Sequence, residues 1–336
     1  MAKPIIAIVG LGFIGSSIGL ALKQAGGNFE IVGHDREPSA SGQAKKINAV
    51  DRTSWNLINA TEAADLVILA IPLSAIEDVL KAIGPYLKPG CLVIDTCSIK
   101  RPVLEWADQH LPETVSFVGG DPIVQALAGV EMGEPTPSAA LFKNGMFCLC
   151  PSPRTKPEAV QLAADLAATL GAQPYFLDAA EHDGLLAGVE HLPSLLSAAL
   201  LLTLTERPSW REMRKVAGGD FQRATYLPAG TSAALRRAVL SNSDNLVRWL
   251  DALIERLEGL RSAIVESGED ELEKQFESAI DQRARWIADR ARGFAGEDLP
   301  PRTEVPSYWK TMFGFGGSFF RRKEIEDAGK EPKKGR

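Results

Sequence analysis

The sequence predicts an α/β fold in two parts, an N-terminal doubly wound parallel sheet over residues 1–178 and a C-terminal all-helical domain over residues 179–295. Three observations predict it. Up to about Asp178, short aliphatic runs alternate with helical segments, as in a parallel sheet covered by helices on both faces. Beyond Asp178 the strand-like runs stop and only helical spacings remain. The length, 336 residues, exceeds what one core organises and suits two domains.

The strand-like runs are Ile5–Val9, Glu30–Gly33, Leu66–Ile71, Leu92–Asp95, Val115–Val118, Met146–Cys150 and Pro174–Leu177. Helices are predicted between them, among them Ser16–Ala25 and Ile76–Tyr86, the latter stopped by Pro89-Gly90. In the second half, Leu246, Leu250, Leu253, Leu257, Leu260 and Ile264 follow at alternating spacings of four and three, which places one apolar seam on a helix. Val247 and Ile254 widen it. Such a face suits packing within the domain and against a second copy, because small helical domains bury little alone. From Gly296 to Arg336 the composition turns to Pro, Gly, aromatics and charge, a tail expected to be partly disordered. Its aromatic piece, Tyr308 to Phe315, suggests an arm that docks somewhere.

Composition excludes several function classes. Hydrophobic residues make up 45% and charged residues 24%, the balance of a globular protein. A net charge of -6 argues against nucleic-acid binding. The most apolar stretch, Leu195–Leu204, falls short of the roughly 20 residues of a membrane span and reads as a core helix. Cys91, Cys97, Cys148 and Cys150 form no CxxC pair, which points to buried, reduced thiols rather than a metal site. Met1-Ala2-Lys3-Pro4 leads straight into a strand, so no export signal is expected and the location is read as cytoplasmic.

Between the first strand and the first helix stands Gly10-Leu11-Gly12-Phe13-Ile14-Gly15. A tight turn needs Gly10, close approach of backbone to a pyrophosphate needs Gly12, and packing of helix on strand needs Gly15. Phe13 and Ile14 of the loop and the helix start that follows at Ser16 offer free N–H groups and a partial positive charge to phosphate. Asp35, twenty residues past Gly15 at the end of the second strand, is placed to accept hydrogen bonds from ribose hydroxyls. Strand, loop, helix and acid together predict a Rossmann-type dinucleotide site. Asp35 favours NAD, since a carboxylate repels a 2′-phosphate, while neighbouring Arg36 leaves NADP possible. Ile71 and Pro72 end a strand at the sheet's carboxyl edge, where the nicotinamide half would lie.

Further along, the motifs resemble those of the prephenate and arogenate dehydrogenase family, from Pro4 to Trp286 in order. Asp95-Thr96-Cys97-Ser98-Ile99-Lys100 is similar to a stretch whose serine contacts substrate and nicotinamide. Glu181-His182-Asp183 and His191-Leu192-Pro193 resemble the start of the family's helical domain, and Asp220 to Ala224 resembles a segment whose arginine binds a substrate carboxylate. The pair of helices within Asn245–Trp286 resembles the one that builds a homodimer in relatives. The resemblance implies an NAD(P)-linked oxidative decarboxylation of a cyclohexadienyl dicarboxylate, which leaves the ring aromatic. It implies Ser98 at the ring hydroxyl, and Arg223, Lys100 and Ser194 as substrate-binding residues. His191 reads either as lining that pocket or as tying down a helix start, and His182 reads as structural.

Val118-Gly119-Gly120-Asp121-Pro122 departs from the pattern, since the family has histidine, its proton acceptor, where Asp121 stands. Ser194 is a second departure, in a place where many relatives carry histidine, and Ile123-Val124-Gln125 is a third. An ordinary Asp, with a pKa of about 3.9, is a weak base at neutral pH. Three readings follow: Asp121 serves as base or acceptor for prephenate or arogenate; the pocket takes a related substrate such as a 4-amino analogue; or the chain is a catalytically impaired, dinucleotide-binding regulatory homologue. The residues after Gly296 are too few for the extra domains some relatives carry, so a monofunctional chain is expected.

Overall fold

Alternation along Ile5–Val9 explains why this segment, β1, lies inside the sheet. Ile6 and Ile8 point to one face and Ala7 and Val9 to the other, and all four are buried. Leu66–Leu69 (β4) repeats the pattern, with Leu66 and Ile68 on the first face and Val67 and Leu69 on the second. A strand apolar on both sides needs helices on both sides. In the computed structural model, which describes residues 3–124, 136–227, 232–266, 268–291 and 313, Phe13–Ala25 (α1) and Pro157–Thr169 (α6) cover the first face. Leu73–Ile83 (α4) and Arg101–His110 (α5) cover the second. Two short helices, Pro38–Lys46 (α2) and Leu57–Thr61 (α3), complete this half.

Among the described residues the sheet has eight strands, in the order β3-β2-β1-β4-β5-β6-β7-β8. The others are Glu30–His34 (β2), Arg52–Thr53 (β3), Leu92–Asp95 (β5), Ser116–Ile123 (β6), Met146–Pro151 (β7) and Gln173–Phe176 (β8). The expected doubly wound sheet is present and mostly parallel, with one correction. β7 pairs antiparallel to β6, and β8 follows β7, so the last two strands run against the rest. β3 is a strand too short for a sequence period to reveal.

A second difference lies in β6, which continues five residues past the predicted end at Val118. Its pairing with β5 stops at Val118, and Gly119–Ile123 pairs only with β7. Pro122 is tolerated there because its missing N–H faces the side where β5 has ended.

After β8 the described chain is entirely helical: Ala179–Leu186 (α7), a π-turn at Ala187–His191, Leu192–Thr205 (α8), Trp210–Val216 (α9), Gly219–Ala224 (α10), Ser232–Ser241 (α11), Ser243–Val265 (α12) and Glu269–Ala291 (α13). The reading of Leu195–Leu204 as a core helix is corrected here. Only Ser197 of α8 is buried, and Leu196, Leu200 and Leu202 lie open in the single chain. Joined through the π-turn to α7, this helix runs without a break over Ala179–Thr205, 27 residues, long and apolar enough to cross a bilayer by length and composition. The polar His182, Asp183 and His191 within it are nonetheless buried against the nucleotide half. The α12 seam is also largely open, with Leu246 buried but Val247, Ile254, Leu257 and Ile264 exposed.

All four cysteines are unpaired and buried. Burial pushes the thiols of Cys91, Cys148 and Cys150 up to about 12, which keeps them protonated and inert. Gln125 and nearly all of the tail fall outside the described residues. Phe313 is the exception; the rest of the aromatic piece Tyr308 to Phe315 lies outside the described residues. Its ring is fully buried in the first-face core, edge-on to Phe29 at 6.0 Å, and its carbonyl accepts the Asn28 N–H at 2.9 Å.

Candidate active site

The glycine loop joins β1 to α1 where the strand order reverses, so a crevice opens at the carboxyl ends of β1 and β4. Gly10 has φ +92°, and a Cβ there would lie 2.2 Å from the Ala70 carbonyl oxygen. A Cβ on Gly15 would lie 1.9 Å from the Gly10 carbonyl oxygen, so helix and loop pack as closely as backbone allows. At Gly12 the same test meets nothing within 4 Å, which leaves open space beside the first-turn amides of Phe13 and Ile14. That space fits a pyrophosphate. Asp35 accepts the Leu11 N–H at 2.7 Å and the Glu37 N–H at 2.8 Å, so it braces the loop and retains lone pairs toward the crevice mouth. Arg36 is solvent-exposed and loosely paired with Glu37. Ile71 packs beside Gly10, and Pro72 starts α4.

Beside this crevice, the ends of β5 and β6 meet α7. Asp95, at the end of β5, accepts N–H groups from Cys97 at 2.9 Å and Gly120 at 3.0 Å. Lys100 is fully buried, and its Nζ donates to Asp95 and, at 2.7 Å, to the Gly120 carbonyl. The glycine pair makes this possible. A Cβ on Gly119 would strike the Lys100 stem at 2.9 Å, and one on Gly120 would lie 2.5 Å from the Asp95 carbonyl. Burial disfavours the Lys100 charge, but Asp95 and other nearby anions outweigh it and raise its pKa.

Asp183 of α7 caps α5 from outside. Its carboxylate accepts the N–H groups of Lys100 at 2.7 Å and Arg101 at 3.0 Å, and Arg101 in turn makes a bidentate contact with Asp244 of α12. Next to it, His182 lies between two carboxylates. Its Nδ1 is 3.0 Å from Asp183 Oδ1, and its Nε2 is 3.2 Å from Asp121 Oδ2. Burial pushes Asp121 up, partly offset by His182. For His182, burial opposes the charged ring, but Asp121 and Asp183 prevail and raise its pKa.

The π-turn then presents two more groups. His191 Nε2 is 3.4 Å from Ser98 Oγ, while its buried Nδ1 has no hydrogen-bond partner among the described residues, and burial pushes its pKa down so that the ring is neutral. Glu190 reaches solvent yet stands in the crowded cleft facing Ser98. Burial and the charge of Asp121 push its carboxyl up to about 7. Wide helical turns of this kind often mark functional sites, because the extra residue re-aims the side chains around it.

A hydroxyl, a neutral imidazole and two carboxyl groups with raised pKa thus line one cleft beside a dinucleotide loop. The profile of "prephenate dehydrogenase, nucleotide-binding domain" matches residues 18–176, and that of "prephenate dehydrogenase, dimerization domain" matches residues 178–278. The chain belongs to the prephenate dehydrogenase family. It is 30% identical over 283 residues to the cyclohexadienyl dehydrogenase of Zymomonas mobilis, covering 83% of this chain and 94% of that one. It is 31% identical to the prephenate dehydrogenase of Lactococcus lactis, covering 81% and 74%. The fold is similar to that of the Aquifex aeolicus prephenate dehydrogenase solved with hydroxyphenyl propionate and NAD+, at a TM-score of 0.75 and 22% identity over 85% of this chain and 99% of that one.

Set against this prephenate dehydrogenase frame, the site residues divide. Ser98 and His191 meet, and Asp121 is tied to them through the charge it exerts on Glu190, which faces Ser98. Lys100 does not face a substrate, because both its partners are internal and it has no exposed surface; it holds β5 and β6 in place. Ser194 donates its hydroxyl to the Glu190 carbonyl at 3.2 Å, a bond within its own helix, and presents no donor to the cleft. Arg223 lies on α10, largely exposed and ion-paired with Asp220, and no hydrogen bond or ion pair among the described residues links it to Ser98, Asp121 or His191. Two cleft residues escaped sequence reasoning. His182, read as structural, reaches Asp121 across 61 positions of chain. Glu190 belongs to none of the motifs read from the sequence, although its place beside His191 was a usable signal.

Proposed function

We propose that the chain catalyses NAD-dependent oxidative decarboxylation of prephenate or arogenate, with Asp121 in the proton-accepting role. The observation that carries this reading is the convergence of Ser98, Asp121, Glu190 and His191 at the carboxyl edge of a sheet whose first loop is shaped for a pyrophosphate. The names of the relatives from Zymomonas and Lactococcus support the substrate class, and the NAD+ of the Aquifex structure supports the cofactor, as does Asp35. The bound nicotinamide supplies a hydride acceptor for the carbinol carbon. Ser98 orients the ring hydroxyl, neutral His191 fixes the Ser98 side chain, and Asp121 takes the hydroxyl proton.

Purified protein with NAD and either prephenate or arogenate is expected to form NADH, followed by absorbance, and Asp121→Asn is expected to lower kcat at least ~100-fold. No turnover of either substrate, with NAD still bound, would overturn the reading. Two carboxyl groups around Ser98 give a 4-amino ring substrate a specific attraction, so that analogue belongs in the same assay.

The open apolar faces of α8, α12 and α13, including Leu202, Leu257, Ile264, Phe276 and Ile280, are assigned to contact with a second copy, in a homodimer acting in the cytoplasm. Light scattering should give twice the chain mass, and Leu257→Asp with Ile264→Asp should reduce it to one.

A further inference from the structure

Both ring nitrogens of His182 face carboxylate oxygen, Asp121 at 3.2 Å and Asp183 at 3.0 Å, and the ring is fully enclosed. A neutral imidazole carries one N–H and would leave its other nitrogen lone pair against an anion, whereas an imidazolium donates to both. Asp183 is held as an acceptor from the other side, because its oxygens also take the Lys100 and Arg101 N–H groups at the start of α5. The remaining charged or titratable neighbours are Lys100 and Asp95 from the β5 end, Glu190 and neutral His191 from the π-turn, Cys97, and Cys148 of β7. Lys100 and Asp95 pair with each other. The negative charge left at Asp121 and Glu190 is answered by the imidazolium.

We propose that Asp121 and His182 work as one proton-accepting unit, in which Asp121 takes the ring-hydroxyl proton and His182, fixed from behind by Asp183, is the positioning residue whose charge keeps Asp121 a carboxylate. This rests on the oxidative decarboxylation reading. As hydride leaves the carbinol carbon, the hydroxyl O–H bond breaks and its proton bonds to an Asp121 oxygen. When the bond from the ring to its carboxylate breaks, carbon dioxide departs and the electron pair passes through the ring to the oxygen. The resulting phenolate takes the proton back from Asp121, so the cycle closes with an aromatic hydroxyl and no net proton. A buried Asp without a counter-charge would already be protonated and unable to accept. His182 removes that obstacle.

Two measurements test it. In the full chain with 15N-labelled histidine and NAD bound, the His182 ring, assigned by its loss in His182→Gln, is expected to carry both N–H protons at about pH 7.5, and Asp121→Asn should lower its titration by at least ~1 pH unit, tenfold in proton affinity. A neutral ring in the wild type, or a titration that Asp121→Asn does not move, overturns the proposal. This readout needs no turnover, so it stands apart from failure to oxidise prephenate or arogenate, which would sink the functional reading alone. The second is the pH profile of kcat/KM for the substrate that is oxidised. In His182→Gln the acid limb should move up by at least ~1 unit, with about tenfold or greater loss near pH 6.5, recovery toward pH 9, and KM and NAD affinity within about twofold. A loss that is uniform across pH, as a purely structural role would give, overturns it.

Discussion

Replacing Lys100 with Met tests whether the buried lysine holds the end of the sheet together. Lys100 and Asp95 both have no solvent exposure, and the ammonium donates to Asp95 and to the Gly120 carbonyl. Removing it leaves a buried carboxylate without its cation, at a cost of roughly 3–5 kcal/mol. The Gly120 carbonyl loses its donor, about 1 kcal/mol more. Two compensations oppose this. Asp95 keeps the Cys97 and Gly120 N–H groups, and the Met side chain refills most of the lysine stem's volume beside Gly119. The expected net loss is about 4 kcal/mol, or roughly 10 °C in Tm for a protein of this size. Urea unfolding followed by circular dichroism measures it, in a cycle with Asp95→Asn and the double variant. Neutralising both partners removes the stranded charge, so the double variant should recover about half the loss. A single-variant loss below about 1 kcal/mol, or a double variant that loses the sum of the two singles, would refute the argument.

Three further outcomes follow from the geometry. Gly12→Ala should fold with an unchanged Tm and bind NAD at least ~10-fold more weakly in calorimetry, since its methyl meets no protein atom but occupies the pyrophosphate space; Gly15→Ala, with backbone 1.9 Å from the new carbon, should fail to fold or lose many degrees. Glu190 carries its proton up to about 7 in the folded chain but only to about 4.5 when unfolded, so the native state binds more protons between these values and stability falls as pH rises through that window. Glu190→Gln should flatten this slope, read from urea midpoints at pH 5 and pH 8. Phe313→Ala should cost roughly 3–5 kcal/mol in urea unfolding by emptying a buried ring site against Phe29, although it lies far in sequence from every other core residue.

Much of the first half was legible because its signals are local. β1, the glycine loop and α1 follow one another within 25 residues; Gly10 and Gly15 answer contacts inside that span or with the neighbouring β4 turn, and Gly12 leaves open space. The α12 seam was legible for the same reason, since helical spacing reports an apolar face without saying what covers it. Strand direction was less accessible. The run Met146–Pro151 reads alike whichever way it pairs, and only its register against β6 shows that β7 runs the other way. Lys100 illustrates a different failure. A lysine in a motif suggests a ligand contact, but burial against Asp95 depends on Gly119, 19 positions away, which leaves room for its stem, and on Gly120, 20 positions away, which lets β6 close on the Asp95 backbone.

By itself the sequence determined the α/β and helical halves, the dinucleotide loop with Asp35, the apolar helix face, and an Asp at position 121. Only the tertiary structure decided what surrounds that Asp. Hydrophobic period and motif spacing are set by backbone geometry within one element, whereas the pairing of Asp121 with His182 is set by how α7 docks on the end of β6. That docking is fixed by Asp183 on the N–H groups of α5, an interaction between residues more than 80 positions apart. Charge state follows from such neighbours through burial and distance, which is why one chain position could be named from sequence and its chemistry could not.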